Sequence, residues 1–175
     1  TATFAQKTQT IACGADFSPN KVFGTAPFTA PTPVIIITPV GEPNGGTFYS
    51  VTSGPCSVNG DQITATGAGT CNYTANLFGT FSLSQASSGT CSVVIAKANQ
   101  TVTFTSTAPA AAAVAGATYT ATAASSVALT PVTITVDAAS AAVCSIANGV
   151  VGFTAAGTCK LLADQAGNGN YNAAT

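Results

Sequence analysis

The residues with the most chemistry to offer are six cysteines: Cys13, Cys56, Cys71, Cys91, Cys144 and Cys159. No two are spaced as CxxC and the chain has no histidine, so neither a zinc nor a haem site has a ligand pattern. An even number of cysteines in a short chain reads instead as a disulfide framework, formed in an oxidising compartment. The lack of histidine also removes the common nucleophilic triads. Five carboxylates (Asp16, Glu42, Asp61, Asp137 and Asp164) are scattered, with no spacing that pairs an acid with a base. A Ser–Lys dyad on Lys21 or Lys160 is outweighed by ordinary solvated lysine. Asp164, Asn168 and Asn170 carry oxygens a calcium ion could use, but their spacing completes no loop motif and reads as a polar turn. The expectation is a protein that is no enzyme and uses no cofactor and no metal.

Composition narrows the partners. Apolar residues make up 46% and charged residues 5%, the opposite of a solvated disordered chain. The basic residues are four lysines (Lys7, Lys21, Lys97, Lys160) with no arginine, and the net charge is −1, which leaves no cationic surface for nucleic acid. The longest apolar runs, such as "VIII" at 34–37, fall far short of the roughly 20 residues a membrane helix needs, so no membrane span is expected. No charged head followed by an apolar stretch opens the chain; a secretion signal is already removed or was never in this segment.

The elements that must hold the cysteines show themselves as a repeat. Residues 8–28, "TQTIACGADFSPNKVFGTAPF", align without a gap on 99–119, "NQTVTFTSTAPAAAAVAGATY", sharing "QT", the apolar Ile11 and Val102, and the aromatic Phe28 and Tyr119. "TPV" at 32–34 recurs at 130–132. Residues 56–79 then align without a gap on 144–167: each copy has two cysteines, an Asn-Gly after the first, and "AGTC" at the second. Three ordered blocks make the chain two copies of one module, each the size of a small sandwich domain. Period-two alternation (Val102 and Phe104; Val132, Ile134 and Val136; Cys159, Leu161 and Ala163) predicts short antiparallel strands. Asn59-Gly60 and Asn148-Gly149 are hairpin signals. The alanine-rich "APAAAAVAGA" at 108–117 reads as loop or edge segment despite its helix propensity. "PVIIITPV" at 33–40 reads as a central strand buried on both faces, or else as a surface packing on a neighbouring module or subunit.

The "QT" openings, the "AGTC" strands and the closing "DQAGNGNYNAAT" resemble the bacterial Ig-like repeats found in tandem in secreted and surface-anchored bacterial proteins. The resemblance runs nearly the whole chain and is weakest at 35–55 and 80–92. It implies an all-β chain of two tandem Ig-like β-sandwiches, non-catalytic and acting as spacer, stalk or adhesive unit at the bacterial surface. It also implies that the motif cysteines bond within each module, Cys56 to Cys71 and Cys144 to Cys159, which leaves Cys13 and Cys91 as a third pair. Copy one departs from the pattern by carrying these two extra cysteines and a turn-rich "GEPNGG" insertion, expected as a hairpin extension at 41–46.

Module 1 spans 8–98 and module 2 spans 99–175. In copy one the alternating "CSVVIA" reads as a last strand, and copy two reaches Thr175 without a counterpart, so the second sandwich is expected to lack its own last strand. Carried backwards, the same alignment sets Ala2 on Val93 and Phe4 on Ile95, so residues 1–7 (Thr1, Ala2, Thr3, Phe4, Ala5, Gln6, Lys7) read as a last strand with no module before them. One expectation is a head-to-tail homopolymer in which this donor strand completes module 2 of the next copy, against an acceptor region of Val102, Phe104, Leu161 and Ala163. A second is a spacer cut from a longer array of covalently joined repeats. A third is a carbohydrate-binding module using Phe48, Tyr49 and Tyr73, a reading that core packing of these rings and the absence of tryptophan oppose. A tip or anchoring protein as a further partner is left open.

Overall fold

The computed structural model describes residues 7–15, 21–38 and 43–175. Among these residues the regular structure is all-β apart from one 3-10 turn, and the chain divides into two compact units between Ala98 and Asn99.

The first unit contains β1 (Thr8–Ala12), β2 (Lys21–Val22), β3 (Phe28–Thr29), β4 (Val34–Thr38), β5 (Thr47–Ser53), β6 (Cys56–Asn59), β7 (Gln62–Ala65), β8 (Gly69–Leu77), β9 (Ala86–Ser87) and β10 (Cys91–Ala96). One sheet runs β2-β10-β8-β5 with β9 also on β8, a second runs β3-β7-β6, and β1 pairs with β4. The strands form because apolar side chains alternate with polar ones. In "CSVVIA" this leaves Cys91, Val93 and Ile95 at 4%, 3% and 1% exposure while Val94 between them faces out. Those three meet Cys71 and Tyr73 of β8 and Ile63 of β7 in one cluster, so two sheets face each other across a core, consistent with a β-sandwich. Burying each such aliphatic side chain contributes about 2 kcal/mol.

The second unit contains β11 (Val102–Phe104), β12 (Tyr119–Thr120), β13 (Ala123–Ser125), β14 (Thr133–Val136), a 3-10 turn (Ala138–Ser140), β15 (Cys144–Ala147), β16 (Val150–Phe153) and β17 (Leu161–Asp164). Its sheets are β12-β16-β15, β14-β17 and β11-β13, around Ala121, Cys144 and Val151.

The two units repeat one another pair by pair. Phe28 opposes Ile63 as Tyr119 opposes Val151, and Cys56 opposes Ala65 as Cys144 opposes Phe153. Ala30 N–H donates to Asp61 O at 2.7 Å and Ala121 N–H to Gly149 O at 2.9 Å. Leu77 pairs with Ala86, and Gln165 bridges to Ala174 in the same place. The glutamine of each "QT" has one job: Gln9 Nε2 donates to Phe78 O and Ser84 O, and Gln100 Nε2 to Asn172 O and Gln165 Oε1, tying the first strand to the segment beyond β8 or β17. The hairpins keep this register even though the Asn-Gly pairs are one residue out of step. Asn148-Gly149 fills the two turn positions with φ of 49° and 77°, whereas the first unit turns on Gly60 (φ 63°) and Asp61.

Two expectations change. "PVIIITPV" does not give a strand buried on both faces: β4 pairs with β1 alone, Ile35 and Ile37 are half-buried, and Val34 and Ile36 are 57% and 60% exposed. A strand with one neighbour and one covered face has nothing to bury its outer side. The hairpin expected at 41–46 lies partly outside the described residues; residues 43–46 carry no strand, and β4 and β5 belong to different sheets. The alanine-rich 108–117 carries neither helix nor strand.

Candidate strand-acceptor groove

All six cysteines are paired: Cys13–Cys91, Cys56–Cys71 and Cys144–Cys159. The first closes 78 residues of sequence and fastens β10 to the end of β1; the others each close 15 and tie β8, or the segment entering β17, to the neighbouring sheet. By the chain-entropy model these contribute roughly 3 to 5 kcal/mol each.

Two of the predicted acceptor residues, Phe104 and Leu161, sit beside a place where the two units differ. In the first unit β8 has β5 on one side and β10 on the other. In the second, β17 has β14 on the first side, and among the described residues no strand lies along the other. A cavity of about 700 Å³ opens there, lined by Phe104, Leu161, Cys159, Tyr119, Val151 and Phe153 among others. The volume is that of a ligand or peptide cleft rather than a packing defect.

Of the four predicted acceptor residues, Phe104 and Leu161 line this groove. Val102 is half-buried in β11 opposite Ser125, and Ala163 is buried in β17 opposite Ile134. The exposures differ between the two units at this place. Tyr73 and Cys71, beneath β10, are 3% and 0% exposed; their counterparts Leu161 and Cys159 are only half-buried, and Phe104 is 42% exposed. The walls also include Ala108, Pro109, Ala112 and Val114 from the alanine-rich segment. Sequence reasoning missed this wall, although the ungapped alignment of 8–28 on 99–119 already placed Ala112 and Ala113 on β2.

Of the predicted donor residues, Thr1, Ala2, Thr3, Phe4, Ala5 and Gln6 lie outside the described residues. Lys7 is described: its N–H donates to Ser82 O at 2.8 Å and its carbonyl accepts from Ser84 N–H at 3.2 Å, within the first unit.

The other candidate site groups named from the sequence have structural partners where described. Lys160 Nζ lies 3.3 Å from Asp137. Asp137 caps the 3-10 turn by accepting from Ala139 N–H at 3.0 Å, and this hydrogen bond, with that from Lys160, holds its carboxyl below the usual aspartate range. Asn168 Oδ1 accepts from Asn170 and Tyr171 N–H at 2.8 and 3.0 Å, closing a polar turn. No group of three or more metal-ligating side chains occurs among the described residues. Tyr73 is buried and Tyr49 packs against it at 6.2 Å between ring centroids, so these two rings serve internal packing, while Phe48 stacks at 4.3 Å on Phe78, which is 50% exposed. Burial, with Asp61 nearby, raises the Tyr49 phenol above its ordinary value.

Together these features define a disulfide-braced, internally repeated all-β protein. No helix among the described residues is long and apolar enough to cross a membrane. The chain matches no known family model, no curated protein and no solved structure.

Proposed function

We propose that this chain is a non-enzymatic structural subunit of an extracellular bacterial filament, built as two tandem Ig-like sandwiches and assembled by strand donation. Residues 1–7 of one copy complete the second unit of the next. The observation that carries this reading is the β17 edge: the register that seats β10 on β8 leads, in the second unit, to an edge with no partner strand among the described residues, above a groove of about 700 Å³. An open edge over apolar surface is a template for an added strand. The alternation that buries Val93 and Ile95 is present in the donor as Ala2 and Phe4. A contact of this kind joins unlike surfaces, and when it does not close into a ring it propagates as a fibre. The disulfides accord with an oxidising, extracellular setting.

Light scattering on the complete chain and on a chain lacking residues 1–7 tests the proposal. The complete chain is expected to form assemblies whose mass grows with concentration, and the shortened chain to stay monomeric. Equal behaviour of the two, or a complete chain that remains a monomer with both units closed from within, contradicts it.

A further inference from the structure

Resting on that reading, we infer that the alanine-rich segment around Ala112–Val114 is the second wall of the acceptor groove and pairs in parallel with the inserted strand. In the first unit β10 is not an edge. It runs antiparallel to β8 and parallel to β2, with Ile95 opposite Lys21 and Ala96 opposite Val22, and Phe23 N–H donates to Ala96 O at 2.9 Å. Phe23 itself packs on the core beneath.

The repeat sets Lys21, Val22 and Phe23 on Ala112, Ala113 and Val114, and this placement is fixed on both sides by structure. Gln9 and Gln100 make equivalent clamps before it, and Phe28 and Tyr119 make equivalent strand pairs after it. Yet Ala112–Val114 carry no strand, all three are exposed, and Val114 is 54% exposed where Phe23 in the first unit is half-buried. Ala112 and Val114 line the same cavity as Gly157, Cys159 and Leu161. The segment stands where β2 stands in the first unit and has no partner strand among the described residues.

Transferring the register of β10 fixes the occupant residue by residue. Val93 opposes Cys71 and Ile95 opposes Gly69, so Ala2 of the donor opposes Cys159 and Phe4 opposes Gly157. On the other side Phe4 meets Ala112, and the Ala5 carbonyl accepts from Val114 N–H. Where the first unit seats Ile95 between Gly69 and Lys21, the second seats a larger phenylalanine between glycine and alanine, whose small side chains leave room for the ring. An aromatic laid across a strand glycine covers backbone that would otherwise stay wet.

The test is amide hydrogen exchange, read by NMR, on the monomeric chain lacking residues 1–7, with and without excess synthetic peptide TATFAQK. The Val114 amide and amides within 157–161 are both expected to slow by at least about tenfold, and the Phe4→Ala peptide to bind at least about tenfold more weakly. Protection confined to 157–161 overturns the second wall while leaving strand donation standing. Protection of neither overturns strand donation as well. Undiminished binding of the Phe4→Ala peptide overturns the register.

Discussion

Tyr73 and Leu161 hold the same position in the two units: Tyr73 lies opposite Val51 on one side and Cys91 on the other, while Leu161 lies opposite Val136 and, among the described residues, has no strand on its second side. The hairpin register, one disulfide in each unit and the glutamine clamps are shared, and the units differ at the place where β10 lies in the first. A unit that shares these features with its twin and, among the described residues, has no strand beside Leu161 is suited, on the proposed reading, to receive one.

Phe104 offers a direct perturbation, because it lines the groove and is already 42% exposed. Phe104→Asp is expected to lower the stability of the isolated chain by less than about 1 kcal/mol, as exposed sites usually do. It should weaken assembly by about 3 kcal/mol, or roughly a hundredfold, since the inserted strand would bury an unpaired carboxylate. Denaturation of the monomer and sedimentation of the assembly measure the two effects separately.

The glutamine clamps differ in how completely they are satisfied. Gln100 uses both ends, with Ser125 Oγ donating to its Oε1 at 2.7 Å, whereas the buried Oε1 of Gln9 has no hydrogen-bond partner. Gln100→Leu is expected to cost roughly 2 to 3 kcal/mol, because it strands Ser125, Gln165 and the Asn172 carbonyl. Gln9→Leu should cost about 1 kcal/mol less. Urea titrations of the two variants decide the order.

The Cys13–Cys91 bridge fastens β10 in the first unit, where the second unit has no equivalent bond. Replacing both cysteines by serine is expected to remove roughly 4 kcal/mol. It should also let β10 lift away, exposing Tyr73 and Cys71, so that the first unit gains apolar surface for a hydrophobic dye to bind. Fluorescence of a hydrophobic dye during mild denaturation reads this out.

Asp137 sets an acid dependence whose sign is fixed by its partners. Its carboxyl is held low first by Ala139 N–H and then by Lys160, so the folded chain takes up this proton less readily than the unfolded one. The stabilisation is full above the ordinary aspartate value of about 3.9 and is lost as pH falls from there through the depressed folded value. Melting temperatures of the wild-type chain and Asp137→Asn should therefore differ at neutral pH and converge in acid.

Much of this organisation is legible in the sequence because the repeated blocks carry their own register: "QT", "AGTC" and the paired cysteines fix which strand meets which. What stays hidden depends on partners distant in sequence. "VIII" looks like a buried strand, yet β4 has only β1 beside it and leaves Val34 and Ile36 in water. Ala112–Val114 look like filler because a strand is recognised by what it pairs with, and no strand pairs with them among the described residues. The Asn-Gly motifs are out of step by one residue because the turn needs positive φ at set positions, which Gly60 meets in one unit and Asn148-Gly149 in the other.

Cryo-electron microscopy of the native material tests the central claim most directly, by showing which chain supplies the strand beside β17. Residues 1–7 of a neighbouring copy in that groove, with Phe4 against Gly157 and the contact repeating along an axis, is the result expected. A strand covalently continuous with Thr175, or a groove closed by its own unit, would contradict strand donation and make the chain a spacer segment.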